Sequence, residues 1–344
     1  MKHACILLLF FAIFSASFGQ KKSSVTSPNG RIVFDLQINS SIVFYSVKLD
    51  GRLLVQPSRL DLQLSGSSGN NTIQVGKAAH RNATEDYTLL FGKRKQVHAR
   101  YHEMVVSINS RNTLYNIVVR AFDDGVAFRY ELKSGNGDSF QLLDELTQFR
   151  LKGNPVARTL LLPSFTSSHE GLYTKHAFEN LPTDTLIDMP ALFEWSNGTC
   201  LAITEAALLD YAGMYLINKK DGLRGVLSPL PKTPLLKVIA KYPHQSPWRV
   251  LMIGDSIGTL ISSDIVTNLN APSVLKETDW IRSGKTTFPW WNGTIISDTS
   301  FVHGNNFNSN KYYIDFCAAN NIKYQHVFQF TGNSIMELGI NDAG

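Results

Sequence analysis

Cysteine is scarce in this sequence, which argues against a disulfide-rich protein and against a cysteine-based zinc protein. Only three cysteines occur in 344 residues, at Cys5, Cys200 and Cys317. Such widely separated cysteines do not make a disulfide framework, and without a Cys-x2-Cys pair they do not indicate a structural zinc site. Cys200 and Cys317 lie in apolar stretches, so we expect both to be buried thiols.

The sequence also lacks blocks of like charge and long apolar runs. Lysine and arginine total 33 against 28 aspartate and glutamate residues, a net charge of +5, and no run of five like charges occurs. This pattern argues against nucleic-acid binding and against a polybasic membrane patch. After residue 20 no stretch is apolar enough to cross a bilayer, so we expect no membrane span. The oligomeric state stays open.

The first 19 residues have the pattern of a signal peptide. A short basic start precedes an apolar run over residues 6–14, which is too short to span a bilayer, and small residues follow just before Gln20. Cys5 precedes the apolar run, so it is not placed like the lipidated cysteine of a lipoprotein. We expect an exported protein, periplasmic or extracellular, whose mature chain begins near Gln20.

From about residue 27 to 272 the sequence has the pattern of many short strands. Asp50-Gly51 separates two alternating apolar runs, and this pair favours a tight hairpin because the turn needs positive φ. Asp123-Asp124-Gly125 separates two further strand-like runs in the same way. Many strands punctuated by Gly, Asn and Ser turns predict a mainly β protein, with a β-sandwich over residues 20–275.

Beyond Pro272 the apolar period changes. The pattern predicts strands over 285–291 and 322–328, with a helix over 310–320 between them. This order is a βα unit followed by the next parallel strand. Because two parallel strands and one helix leave unpaired edges and an uncovered apolar face, we expect residues 276–344 to continue in the natural protein or to pack on something else.

Several motifs in register resemble one family of glycosidases. They are FDDGVAFRY at 122–130, TEAALLDYAGM at 204–214, WRVLMIGD at 248–255, WIR at 280–282 and PWW at 289–291. Together they are similar to glycoside hydrolase family 97, exported bacterial enzymes that hydrolyse α-linked glucose or galactose. The resemblance implies an N-terminal β-supersandwich followed by a (β/α)8 barrel, of which this sequence contains only the first β-α-β unit.

The resemblance also implies a calcium ion, with Glu205 as the ligand that the N-terminal domain contributes. Ca2+ takes oxygen ligands, often from different segments, so a carboxylate at a strand end could serve. The alternative is a solvated Glu205 or a partner of arginine or lysine, because carboxylates at strand ends are common.

Aromatic residues near the first barrel strand are candidates for substrate binding. Trp290 and Trp291 fall at the expected C-terminal end of that strand, where barrel enzymes build their sites, and an indole face stacks well on a pyranose. Adjacent strand positions point to opposite faces, so we expect at most one tryptophan to line the pocket. His303, in the following loop, could contact a sugar hydroxyl, although a lone loop histidine is more often solvated.

Three further signals are weaker. Ser256 follows a strand like an esterase nucleophile, and Asp298 and His303 are the nearest candidates for its His-Asp pair, but no oxyanion-hole glycine motif lies between them. Asp123-Asp124 could be paired catalytic carboxylates, yet two aspartates before a glycine are more often a turn. His98 and His102 have a zinc-like spacing, but on a strand they lie roughly 13 Å apart, too far for one ion.

Catalytic carboxylates are what the sequence does not supply. Glycoside hydrolysis needs two carboxyl groups flanking the scissile bond, and no motif here assigns them; Glu337 and Asp342 receive no role by resemblance. We therefore expect an α-glucosidase or α-galactosidase type chain, acting on oligosaccharides or α-glycosides, that is truncated and inactive alone. The alternatives are a non-catalytic carbohydrate-binding or scaffold protein and a sugar mutarotase, which would need a histidine and a carboxylate converging on one sheet face.

Overall fold

The computed structural model describes residues 21–39, 41–66 and 72–327. These residues form two compact units, one ending at Pro272 and the other beginning at Ser273. The expected signal peptide lies outside the described residues, as do Glu337 and Asp342. Within the described ranges, no helix has the length and apolar character needed to cross a bilayer.

The first unit is built mainly from β-strands. Its first twelve strands are β1 (Lys21–Thr26), β2 (Ile32–Ile38), β3 (Val43–Leu49), β4 (Arg52–Leu60), β5 (Leu62–Leu64), β6 (Gln74–Val75), β7 (Ala79–Thr88), β8 (Gln96–Ser110), β9 (Thr113–Phe122), β10 (Gly125–Ser134), β11 (Ser139–Glu145) and β12 (Gln148–Phe149). The next are β13 (Val156–Thr159), β14 (Leu161–Leu162), β15 (Thr174–Ala177), β16 (Leu186–Ile187), β17 (Ala191–Glu194), β18 (Cys200–Ala206), β19 (Met214–Lys219), β20 (Gly222–Leu227), β21 (Val238–Lys241), β22 (His244–Gln245) and β23 (Trp248–Gly254). A 3-10 helix at Phe178–Asn180 and two short helices, α1 (Ile257–Ser262) and α2 (Ile265–Asn268), complete the unit.

These strands form four antiparallel sheets, which confirms the predicted mainly β sandwich. The largest has eleven strands, in the order β15-β13-β17-β18-β23-β10-β9-β8-β6, with β22 paired to β10 and β7 to β8. The others are a four-stranded sheet β1-β2-β3-β4, a three-stranded sheet β21-β11-β5 and a five-stranded sheet β12-β20-β19-β16-β14. Their apolar faces share one large core cluster, as expected for layered sheets.

The two faces of the eleven-stranded sheet carry different residues. On β23, Leu251 and Ile253 belong to the main core between the sheets, whereas Trp248 and Val250 belong to a second cluster on the outer face, which also contains Ile265 of α2. Successive side chains on a strand point to opposite faces. Arg249 therefore shares the inner face with Leu251 and Ile253, although it carries a charge.

The two predicted turns form for the reasons that their residues suggest. Asp50 and Gly51 both have positive φ, 48° and 75°, between β3 and β4, as a two-residue hairpin requires. Asp123-Asp124 links β9 to β10, with Phe122 opposite Gly125. A Cβ atom on Gly125 would lie 2.4 Å from the Leu251 carbonyl oxygen, so only glycine fits beside β23.

The second unit contains a parallel pair of short strands with a helix between them in the chain. Strand β24 (Thr286–Thr287) pairs with β25 (Tyr324–Gln325), and helix α3 spans Phe307–Ala319. Asn306 caps this helix by accepting a hydrogen bond from the Ser309 amide, 2.9 Å away. The expected strand over 285–291 is wrong in its second half, because Pro289–Asn292 forms a 3-10 helix. The remainder of the expected barrel stays a prediction.

Candidate functional site

Glu205 lies near the end of β18, directly opposite Arg249 on β23. Its side chain is 14% exposed, and its Oε2 atom accepts a hydrogen bond from Arg249 Nη1 at 2.6 Å. The Met214 amide makes two longer contacts, 3.3 Å to each carboxylate oxygen. The predicted calcium ligand is thus held by an arginine, and its Oε1 atom has only the long amide contact in the described structure.

Arg249 is completely buried and joins two sheets of the sandwich. From the facing three-stranded sheet, Glu145 at the end of β11 accepts two hydrogen bonds, from Nε to Oε1 at 2.8 Å and from Nη2 to Oε2 at 2.6 Å. The side chains of Arg249 and Glu145 are 0% and 1% exposed. A bidentate pair fixes the guanidinium in one orientation, so Nη1 is presented to Glu205.

The remaining acceptor capacity of Glu145 is also used. Thr147 Oγ1 donates to Glu145 Oε1 at 2.8 Å and is itself within 3.2 Å of the Tyr130 hydroxyl. The Tyr211 hydroxyl donates to Glu145 Oε2 at 3.3 Å, and the Arg249 guanidinium lies 5.8 Å from the Tyr211 ring centre. A buried charge is tolerated only when it is paired and hydrogen-bonded, and Glu145 meets both conditions.

The cluster is one positive charge short of neutral. It has two carboxylates, Glu145 and Glu205, and one guanidinium, Arg249. Burial raises the pKa of Glu205 above its usual value in spite of the attraction of Arg249. Glu145 already holds two of the Arg249 donors, so the excess negative charge falls on the partly exposed Glu205, where a cation or a proton would neutralise it.

Glu205 by itself is an incomplete metal site. Ca2+ takes about six to eight oxygen ligands, and among the described residues no group of three or more His, Cys, Asp or Glu side chains could hold a metal ion. Glu145 cannot be counted as a second ligand, because its oxygens accept hydrogen bonds from Arg249, Thr147 and Tyr211. A calcium ion at Glu205 would therefore need several further ligands.

The second unit has its own small pocket at the ends of its two strands. A cavity of about 120 Å³ is lined by Trp290, which follows β24, and by His326, which follows β25, together with Asn305, Asn310 and Tyr313 of the connecting segment. Carboxyl ends of parallel strands are where barrel enzymes bind substrate. The lining combines an indole with amide, hydroxyl and imidazole groups, which is a composition suited to a sugar.

Only one of the three residues expected to bind substrate lines this pocket. Trp291 is 81% exposed, and His303 contacts the Asp298 backbone oxygen at 2.5 Å instead. Trp290 lines the pocket and Trp291 does not, but strand alternation is not the reason, since both lie in the 3-10 helix at Pro289–Asn292. Sequence reasoning missed His326, although its position directly after a strand was a usable signal.

The weaker signals behave as structural features. Ser256 Oγ contacts Thr259 Oγ1 at 3.4 Å, His98 pairs with Asp86, and the His102 ring contacts the Thr26 carbonyl oxygen. Cys200 and Cys317 are free and buried, as predicted.

Three aspartates line another cavity, of about 280 Å³, on the outer face of the large sheet. Asp123 pairs with Arg100 and accepts a hydrogen bond from the Asn29 amide, and Asp264 pairs with Arg94. Asp124 is half-buried, and burial raises its pKa. With two of the carboxylates held by arginines and the third in a β-turn, the arrangement is explained by strand connection rather than by acid–base chemistry.

Comparison with known proteins decides the family. Residues 25–272 match the family described as Glycosyl-hydrolase 97 N-terminal. The chain belongs to glycoside hydrolase family 97. Among curated members, a retaining alpha-galactosidase from Bacteroides thetaiotaomicron is 24% identical over 352 residues, covering 94% of this chain and 52% of the relative. A probable retaining alpha-galactosidase from Streptomyces bingchenggensis is 27% identical over 299 residues, covering 86% of this chain and 44% of the relative.

Solved structures of family 97 agree with this assignment. An enzyme of the family from Pseudoalteromonas sp. strain K8, solved in complex with panose and with acarbose, is 26% identical with a TM-score of 0.79, and the match covers 88% of this chain and 46% of that one. A β-arabinopyranosidase is 20% identical with a TM-score of 0.77, which shows a shared fold. The chain spans about half the length of the curated relatives that it matches.

The family 97 motifs led to Glu205 but not to its partners. Arg249 lies within the WRVLMIGD motif, and a lone charge within an otherwise apolar, buried strand needs a carboxylate partner, which was a usable signal. Glu145 gave no sequence signal of its own, because it lies 104 residues from Arg249 on a different sheet.

Proposed function

We propose that this chain is the N-terminal part of an exported, calcium-dependent α-glycosidase that acts on α-linked galactosides or glucosides. The observation that carries the proposal is the Glu145–Arg249–Glu205 cluster, whose excess negative charge lies on the most exposed of the three side chains. A carboxylate placed in this way is suited to bind a divalent cation whose coordination is completed by ligands from elsewhere.

Calcium, when bound, would supply positive charge and would accept oxygen ligands. The residues of this chain would have three tasks. Glu205 would bind the ion, Arg249 would hold the Glu205 carboxylate at a fixed angle, and Glu145 would keep Arg249 charged and oriented. In this scheme Arg249 and Glu145 are positioning residues, since neither is exposed to a ligand.

The Trp290 pocket of the second unit supports a sugar as substrate. Its indole and polar groups match a pyranose ring, with one apolar face and a rim of hydroxyls. The curated relatives are named as alpha-galactosidases, and the Pseudoalteromonas enzyme was solved with the oligosaccharides panose and acarbose. An α-glycoside is therefore the substrate class that we infer, with α-galactosides as the first to test.

The acid–base pair is not assigned to the described residues. Hydrolysis requires two carboxyl groups that reach the glycosidic bond, about 5–5.5 Å apart for retention and about 6.5–9.5 Å for inversion. Glu145 and Glu205 are two neighbouring carboxylates and so resemble such a pair, but Arg249 lies between them and Glu145 is inaccessible. We expect the 344 residues to have no glycosidase turnover by themselves.

Export is part of the proposal because of the signal-peptide pattern in residues 1–19, which lie outside the described structure. A periplasmic or extracellular enzyme meets oligosaccharides and millimolar calcium, for which a modest affinity suffices.

A mutarotase is the less favoured alternative. His244 and Glu131 line one cavity on a sheet face, as that chemistry would require. However, Glu131 accepts hydrogen bonds from Arg129, Lys133 and Gln245, and these contacts lower its pKa although burial alone would raise it. A carboxylate held in this way is a weak base.

The test is hydrolysis of p-nitrophenyl α-galactoside and p-nitrophenyl α-glucoside by the full product of the gene, with calcium and with the chelator EGTA. We expect turnover of at least one substrate with calcium, loss of turnover in EGTA, and recovery when calcium is restored. The 344-residue chain assayed in parallel should release no p-nitrophenol above a heat-killed control. Equal turnover in calcium and in EGTA would contradict the role of the metal, and turnover by the short chain would contradict the missing acid–base pair.

A further inference from the structure

A second cavity lies on the outer face of the eleven-stranded sheet, in the first unit. Its volume is about 440 Å³, and it is bounded by β10, β22, the segment after β18 and the segment after α2. Arg129 of β10 lines it, whereas the neighbouring Phe128 lies opposite Arg249 in the inner face. Because adjacent strand residues point to opposite faces, Arg129 faces away from Arg249. The two places meet at one point, where His244 of the cavity stacks on Tyr211 with ring centres 6.0 Å apart.

The guanidinium that lines the cavity is held rigidly. The Arg129 guanidinium lies 4.4 Å from the ring centre of Trp248, which is itself buried, and Arg120 lies over the same ring at 5.0 Å. Arg129 Nη2 donates to Glu131 Oε1 at 2.6 Å. Stacking on the indole and a short ion pair leave the guanidinium little freedom to turn, so its other N–H groups have fixed directions.

Two nitrogen atoms of this lining are buried without a hydrogen-bond partner. They are Arg129 Nε and His244 Nε2, two of only five such side-chain atoms in the described part of the chain. Arginine nitrogens are donors only, so Arg129 Nε can be satisfied only by an acceptor. Both atoms have almost no accessible surface, so a ligand in the cavity would contact the exposed 17% of the Arg129 side chain rather than Nε itself.

The polar wall of the cavity is positive and rich in donors. Arg129 and Lys133 carry two positive charges, while Glu131 supplies one negative charge. Its carboxylate is already occupied, since Oε2 accepts from Lys133 at 2.9 Å and Oε1 accepts from both Arg129 and Gln245. Burial lowers the pKa of Arg129, even with Glu131 beside it. The net positive charge of the wall and its remaining N–H donors therefore favour an anion over a neutral group.

The rest of the lining is apolar. Leu209 is 69% exposed, and Leu269, Pro243, Ala207 and Ala271 complete this side. An exposed leucine beside a set of fixed donors suits a small ring with one apolar face, and the volume is sufficient for a pyranose.

We propose that this cavity binds an acidic monosaccharide unit of the hexuronate class, with the carboxylate at Arg129 and Lys133 and the ring against Leu209. The site is a binding site and not a catalytic one, and it does not depend on the proposed glycosidase activity. It would give the protein affinity for uronate-containing glycans, separately from the glycoside that it cleaves.

The test is calorimetric titration of the 344-residue chain with galacturonate and glucuronate, and with galactose and glucose as the neutral counterparts. We expect millimolar binding of the acids, at least about fivefold tighter than binding of the neutral sugars, since one charged contact is worth about 1 kcal/mol. Inorganic sulfate is the third arm, and it should compete only weakly because it lacks the ring.

Rim variants make the test specific. Arg129 packs on Trp248, so its loss could affect folding, whereas Lys133 and Gln245 lie at the exposed edge. Lys133→Ala removes one positive charge, and Gln245→Glu puts a negative charge in place of the amide that donates to Glu131; each should weaken uronate binding at least about fivefold. Lys77→Ala and Gln141→Glu, at exposed positions away from this cavity, are the matched controls and should leave it unchanged.

Four results would overturn the proposal. Equal affinity for galacturonate and galactose would show that the carboxylate does not contribute to binding. Sulfate that competes as well as the uronates would show that the sugar ring does not contribute. Absence of binding, or the same loss of uronate affinity in the controls as in the rim variants, would show that this cavity is not a uronate site.

Discussion

Arg249 is the residue on which the first unit depends most. It is fully buried, and it is the only cation that contacts either Glu145 or Glu205 among the described side-chain ion pairs. A buried pair of this kind adds little net stability compared with apolar residues, but breaking it leaves an uncompensated charge in the core. Arg249 holds Glu205 in place, and its removal should strongly destabilise the fold.

The first prediction concerns Arg249→Met in the 344-residue chain. We expect the free energy of unfolding to fall by about 3–5 kcal/mol, because Glu145 is left charged and buried. Urea unfolding followed by circular dichroism measures this change. Arg224→Met, which breaks an exposed pair with Asp221, should change stability by no more than about 0.5 kcal/mol. The double variant Arg249→Met, Glu145→Gln should recover part of the loss; no recovery would show that charge is not the cause.

Asp35 gives a prediction for the dependence of stability on pH. Burial alone would raise its pKa, but hydrogen bonds from Ser24 at 2.7 Å and Lys48 at 2.9 Å lower it below the usual value. A carboxyl group with a lowered folded pKa stabilises the fold above its unfolded pKa of about 4, and this contribution is lost as the pH falls through the folded value.

We therefore expect Asp35→Asn to destabilise the chain by about 1–3 kcal/mol at pH 7. The difference from the wild type should shrink as the pH falls below about 4, because the aspartate itself becomes protonated. Urea unfolding at a series of pH values measures both curves. A difference that stays constant down to pH values near 2 would contradict the lowered pKa.

At the scale of elements, the turn between β9 and β10 controls how closely β10 approaches β23. Gly125→Ala would place a Cβ atom 2.4 Å from the Leu251 carbonyl oxygen and 3.1 Å from the Met252 Cα atom. Because the contacts are with backbone, β23 would have to move, and β23 carries Arg249. We expect a loss of about 1–3 kcal/mol, the usual range for overpacking.

Gly258→Ala is the matched control for that variant. Gly258 lies in α1, and the nearest atom to an added Cβ is Ser256 Oγ at 3.5 Å, an ordinary contact. Alanine favours helix over glycine by up to about 1 kcal/mol, so this variant should be neutral or slightly stabilising. If Gly125→Ala behaves like Gly258→Ala, the close approach of the strands is not what selects glycine.

Elements differed in how far the sequence could predict them. The Asp50-Gly51 hairpin and the Asp123-Asp124 turn followed from local chemistry, because positive φ and tight turns favour few residues. The strand expected over 285–291 failed at the tryptophans, since an aromatic run does not distinguish a strand from a helical turn; Pro289, which starts the 3-10 helix, was the available signal. The pairing of Glu145 with Arg249 depends on how two sheets face each other, which no local pattern records.

For the whole molecule, the two units carry different candidate sites. The first unit holds the Glu205 cluster and the outer cavity at Arg129, and the second holds the small pocket at Trp290 and His326. The family is established by the match over residues 25–272. Calcium, export and the substrate sugar stay predictions, and the hydrolysis assay tests the calcium and the sugar.

The calcium dependence of α-galactoside or α-glucoside hydrolysis by the full gene product tests the account most directly, with wild type, Glu205→Gln and the control Glu170→Gln compared over a calcium series. We predict that Glu205→Gln needs at least about tenfold more calcium for half-maximal rate, since losing one charged ligand costs more than about 1.4 kcal/mol. Glu170→Gln, at an exposed carboxylate, should follow the wild type. Calcium curves for Glu205→Gln and wild type that coincide would contradict the assignment of Glu205 as the metal ligand.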